Sequence, residues 1–101
     1  MGTTGQGQTG HPRPPRPDGI QVTIRYFAAA RAAAGAESET VILRRGTTVA
    51  ELIERLAVPG TRLGKVLSRC SYLCDGIAVR DETAALRSGD TIDVLPPFAG
   101  G

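Results

Sequence analysis

The chain holds no tryptophan, two phenylalanines, two tyrosines, two cysteines and a single histidine, and nowhere does it run apolar for long. Each scarcity removes a class of function. No segment approaches the roughly 20 apolar residues that cross a bilayer, and no basic-then-apolar start marks a signal peptide, so no membrane role is expected. Few aromatics and a formal net charge of only +2 offer little to stack on bases or to track phosphates. Nucleic acid is therefore not an expected partner. Cys70 and Cys74 lie four apart, which is neither a CxxC redox pair nor a zinc site needing four ligands, and His11 stands in a separate polar segment. They are expected as reduced, buried or half-buried thiols of a cytoplasmic protein. No Ser/His/Asp set, metal-ligand cluster or phosphate loop can be assembled, which leaves an independent enzyme the least supported class. Lysine is nearly missing too, with Lys65 alone among a positive charge otherwise carried by arginine.

What is present divides 101 residues into three parts. Residues 1–18 are mostly Gly, Thr, Gln and Pro, with His11, Arg13 and Arg16 adding a weak positive charge and almost nothing to bury, so they are expected to be a disordered leader. Residues 19–95 carry the patterns of one small α+β domain. Residues 96–101 read as a flexible tail ending in Gly-Gly.

Within the domain, Ile20, Val22, Ile24 and Tyr26 alternate with polar residues, the period-two signature of a strand with one buried face. Phe27 is an aromatic on the polar side of that pattern. The alanine-rich residues 28–36 predict a short helix closed by Gly35, and residues 39–43 a second strand antiparallel to the first. Thr48 and Glu51 are spaced as a capping box, and Val49, Leu52, Ile53 and Leu56 form one apolar stripe, predicting the main helix. Leu63, Val66, Leu67 and Cys70 repeat the stripe over a shorter second helix, with Arg62, Lys65 and Arg69 on its other side. Tyr72-Leu73-Cys74, Asp75-Gly76 and Ile77-Ala78-Val79 predict a hairpin. Residues 91–95 supply a last strand, giving a mixed sheet of about five strands with one main helix on one face.

The last strand ends in Pro96-Pro97, which cannot continue a sheet ladder and stiffens the exit. Ala99, Gly100 and Gly101 then form a slim end. Glycine-rich ends are commonly only frayed. Six extended residues nonetheless reach on the order of 20 Å, enough to carry the Gly101 carboxylate into a neighbouring protein.

These features together resemble a known family. Tyr26-Phe27-Ala28 with Arg31 and Gly35, Thr48-Val49-Ala50-Glu51-Leu52, Asp75-Gly76, and Leu86-Arg87-Ser88-Gly89-Asp90 leading to Pro96-Pro97-Phe98-Ala99-Gly100-Gly101 follow the order found in the ubiquitin-like sulfur carriers. The resemblance is greatest to the MoaD type, the small subunits of molybdopterin synthase. It implies a β-grasp fold and a carrier with no cofactor of its own. A MoeB-like E1 adenylyltransferase would use MgATP to adenylate Gly101, and a sulfur donor system would convert it to a thiocarboxylate. A MoaE-like large subunit would then use that sulfur on cyclic pyranopterin monophosphate in molybdenum cofactor biosynthesis. The resemblance also implies an apolar docking patch, for which Phe27, Leu73, Leu95, Pro96, Pro97 and Phe98 are the candidates. Phe98 has no core left to enter, whereas Leu73 also reads as ordinary core. Two other readings stay open: a ThiS-like carrier for thiazole or cysteine synthesis, and a ubiquitin-like interaction module whose terminus is never activated.

Overall fold

The computed structural model describes residues 19–97, so the 1–18 leader and Phe98, Ala99, Gly100 and Gly101 lie outside the described residues. The elements run β1 (Gly19–Tyr26), α1 (Ala28–Ala34), β2 (Ser38–Arg44), α2 (Val49–Leu56), α3 (Arg62–Leu67), β3 (Ser71–Cys74), β4 (Ile77–Ala78) and β5 (Thr91–Leu95). The strands form one sheet in the order β2-β1-β5-β3-β4. The first and last strands pair in parallel at its centre, flanked by antiparallel partners. Helices cover one face of this mixed sheet, the β-grasp arrangement that the resemblance implies.

The alternation in β1 has the expected result. Ile20, Val22, Ile24 and Tyr26 are buried, and with Leu43, Tyr72, Ile92 and Val94 they form the sheet side of the core. Ala30, Val49, Leu52 and Leu67 close it from the helices, and Leu86 from the connection to β5. Each fully buried aliphatic side chain stabilises the fold by about 1.5–3 kcal/mol.

The Thr48 box is present in full. The Thr48 side chain accepts from the Glu51 N–H, and the Glu51 carboxylate accepts from the Thr48 N–H. The two amides between them donate to the carbonyls of Ala84 and Glu82. All the donors that a helix start leaves open are thus satisfied, and the connection before β5 is tied to α2 by the same bonds. At the hairpin, Asp75 and Gly76 both take positive φ, 50° and 84°, as a tight turn of this hand requires. Its second arm is shorter than expected, since β4 stops at Ala78 and Val79 only donates its N–H to the Tyr72 carbonyl. Lying at the sheet edge, Ile77 is left 73% exposed.

Helix α3 contains a glycine for reasons of space. A Cβ at Gly64 would stand 2.6 Å from the Val58 carbonyl oxygen, which the Thr61 N–H and hydroxyl both hold in place. Glycine to alanine inside a helix ordinarily gains about 1 kcal/mol. Gly64→Ala should instead lower the urea midpoint of unfolding, and a raised midpoint would refute the close approach.

Candidate functional site

The pairing of β1 with β5 decides what lies on the open face of the sheet. Arg25 is opposite Asp93 and Tyr26 opposite Val94, while β3 sets Leu73 opposite Asp93 and Ser71 opposite Leu95. Because Ile92 and Val94 point into the core, Arg25, Asp93, Leu95, Ser71 and Leu73 share the opposite face. Phe27 carries the extended chain one residue beyond β1, and its N–H donates to the Val94 carbonyl at 3.2 Å. The next residue, Ala28, takes φ 51° and turns the chain sharply into α1. A left-handed alanine costs about 1–2 kcal/mol, strain held at the edge of the groove described next.

Phe27, Ala28, Ala29, Ser71, Leu95, Pro96 and Pro97 line a groove of about 510 Å³. It is predominantly apolar and opens where the chain leaves β5. Phe27, Leu95 and Pro96 are half-buried and Pro97 is exposed, and none of them packs into the core cluster. Beside the groove, the Arg25 Nε lies 3.0 Å from Asp93 Oδ1, and the guanidinium carbon stands 5.1 Å from the centre of the Phe27 ring. On α1, Arg31 donates to Glu37 at 2.9 Å.

Of the residues singled out from sequence, Phe27, Leu95, Pro96 and Pro97 are thus gathered in one groove. Leu73 stands on the same face but outside it. The core reading of Leu73 is corrected by the register, because Tyr72, not Leu73, faces inward from β3. Phe98, Ala99, Gly100 and Gly101 lie outside the described residues. Sequence reasoning missed Arg25, Asp93, Ala28 and Ser71. Arg25 was visible only as a polar alternation, and its partnership with Asp93 depends on a parallel pairing between chain ends that no local pattern announces.

The far end of β5 is organised differently. Cys74, Asp75 and Asp90 bring one sulfur and two carboxylates within 4.8 Å of one another. Asp75 Oδ1 accepts from the Thr91 N–H and Asp90 Oδ2 from the Arg87 N–H, so the acids act as locks on two turns. Burial pushes the Cys74 thiol up to about 11, and the charges of Asp90 and Asp75 add to the effect. Cys70 is raised by burial alone, and both cysteines are free and partly buried. Neither thiol is set up as a nucleophile. Among the described residues no helix is long and apolar enough to cross a membrane.

Comparison with known proteins places this geometry. A family model described as the ThiS family matches residues 24–101. A Chlamydomonas reinhardtii protein named molybdopterin synthase sulfur carrier subunit is 29% identical over 83 residues, spanning 81% of this chain and 100% of its own. The solution structure of small archaeal modifier protein 1 from Methanosarcina acetivorans superposes with a TM-score of 0.66 at 25% identity, covering 82% of this chain and 98% of that one. A complex of subunits 1 and 2 of the molybdopterin-converting factor from Helicobacter pylori shares the fold, with TM-score 0.59, 23% identity, and coverage of 81% and 100%.

The Cys74 environment sets a pH dependence. Its thiol titrates higher in the folded protein than the ordinary 9.0, so protonation favours the fold. That contribution is whole below pH 9.0 and is lost as pH rises through about 11. At pH 8, iodoacetamide should label Cys74 about a hundredfold more slowly in the native protein than in urea, as thiolate fractions two pH units apart require. Equal rates in the two conditions would contradict the assignment.

Proposed function

The chain belongs to the ThiS family of ubiquitin-like sulfur carriers, and from that membership we propose that it is the sulfur carrier subunit of a molybdopterin synthase. The observation that carries this reading is the apolar groove between Phe27 and Leu95-Pro96-Pro97, lined by the residues that follow β5 and precede the Gly-Gly end in sequence. A partner seated in that groove receives Gly101 within the reach of the tail, on the order of 20 Å. The relative from Chlamydomonas reinhardtii, matched over its whole length, supports the same pathway.

In this mechanism the chain contributes a carboxylate and a handle, and its partners contribute the catalytic groups. A carboxylate is a poor electrophile. The Gly101 carboxylate attacks the α-phosphorus of MgATP in an E1-like adenylyltransferase and expels pyrophosphate. Hydrosulfide supplied by the donor system then adds to the acyl carbon, displaces AMP and gives up its proton, leaving a thiocarboxylate. The large subunit takes up the loaded tail and passes its sulfur to cyclic pyranopterin monophosphate. Glycine at the last two positions keeps side chains out of a narrow channel and lets one backbone adapt to two enzymes. Pro96 and Pro97 reduce the entropy that the tail loses on threading. The Helicobacter pylori complex, in which a chain of this fold is joined to a second subunit, supports a large-subunit partner. A second reading, a protein modifier, is favoured by the likeness to the Methanosarcina acetivorans protein.

Intact-mass measurement tests the chemistry. Incubated with the E1-like enzyme, MgATP and a sulfur donor, the protein should exchange one terminal oxygen for sulfur. The variant lacking Gly101 should remain unconverted while unfolding at the same temperature as the wild type. No conversion of the wild type by a competent enzyme would reject the carrier reading. Conversion without pterin product, once the large subunit and precursor are added, would reject the pathway. Phe27 lies outside the core, so Phe27→Ala should leave the fold intact yet weaken the large-subunit complex tenfold or more, about 1.4 kcal/mol. Titration calorimetry would measure that loss.

A further inference from the structure

The groove has a charged rim, and its chemistry bears on which protein can dock there, given the carrier reading on which this inference rests. Arg25 is held from two sides, by Asp93 at 3.0 Å and by the face of Phe27 at 5.1 Å, yet its side chain is 51% exposed. Asp93 is 14% exposed, and its Oδ1 is shielded from solvent without accepting a hydrogen bond. The Arg25 Nε–H is therefore not aimed at that oxygen, and charge alone joins the pair. Among the described residues no hydrogen bond engages the two Nη groups of Arg25. Arg31 differs, because Glu37 already accepts from its Nη2.

Arg25 lines the hollow that adjoins the groove across Phe27, and its guanidinium lies against the Phe27 ring, so a protein that seats on Phe27 and Leu95 and extends past that ring comes against Arg25. Covering it removes water from the Nη donors, and a buried cation left without acceptors is penalised heavily. Asp93 meets the guanidinium at Nε, 3.0 Å away, and accepts no hydrogen bond from the Nη groups. We propose that the partner presents a carboxylate to the Nη edge of Arg25, so that this groove selects an apolar surface rimmed by an aspartate or glutamate. A guanidinium takes a carboxylate through two parallel hydrogen bonds, which fixes direction as well as charge. A backbone carbonyl would satisfy one Nη donor and leave the others without an acceptor. Asp93, Arg25 and the partner's acid then alternate in sign across the interface.

The test uses the full chain and the molybdopterin synthase large subunit of the same organism, titrated by calorimetry at low and high salt. Arg25→Leu should weaken the complex about tenfold to a hundredfold and flatten its salt dependence. Arg25→Lys should retain part of the affinity. Arg25→Glu should lose more than Arg25→Leu, and one acid-to-lysine substitution at the large subunit's rim should restore it. Thermal unfolding of each variant shows whether the fold is retained. If Arg25→Leu and Arg25→Lys both bind as tightly as wild type, the inference fails while the carrier reading stands. If the wild type forms no complex, the carrier reading fails and takes the inference with it. If the wild type sediments as a dimer that Arg25→Leu dissociates, the groove serves a second copy of this chain and the inference is overturned.

Discussion

The structure depends on one pairing: β1 and β5, the first and last strands of the domain, lie side by side and parallel. Every other feature of the site follows from it. The pairing puts the end of β1, with Phe27, against the end of β5, with Leu95 and the two prolines. It also sets Arg25 across from Asp93 and places β5, with its last residue Leu95, at the centre of the sheet rather than at an edge. A parallel pair cannot be closed by a short turn, so the whole of α1, β2, α2, α3 and the β3-β4 hairpin is the crossover between its two members. The domain is, in this sense, one long connection that holds two strand ends together.

The two faces of the sheet divide the work. The covered face holds Ile20, Val22, Ile24, Leu52, Ile92 and Val94 almost wholly out of water and supplies the stability. The open face has little left to stabilise and instead carries an apolar groove, an ion pair and polar side chains along β1 and β2. The groove residues Phe27, Leu95 and Pro96 lie outside the core cluster, so the two faces separate packing from surface. In the proposed carrier role the chain delivers a carboxylate and its partners supply the catalytic groups.

Most of the fold was legible because its signals are local. The alternation of β1, the Thr48 and Glu51 box, the Asp75-Gly76 turn and the Pro-Pro exit each act within a few residues, and each is found where the sequence places it. The strand order was not legible, because sequence separation hides which strands meet. Leu73 shows the consequence: its hydrophobicity suggests core, but the register that makes Tyr72 face inward turns Leu73 outward. Arg25 shows it again, since nothing near it in sequence marks Asp93 as its partner. Ala28 and Gly64 are positions where backbone geometry, not side-chain type, carries the meaning, and composition cannot display that.

The central claim is that the open face around the β1 and β5 ends receives the partner. Amide chemical-shift mapping of the labelled protein, with the large subunit added, tests it most directly. The account predicts changes at Arg25, Phe27, Ala29, Ser71 and Leu95, with Glu54, Arg55, Arg62 and Lys65 on the helical side unmoved. Changes concentrated on α2 and α3 that leave the Phe27 and Leu95 amides in place would contradict it.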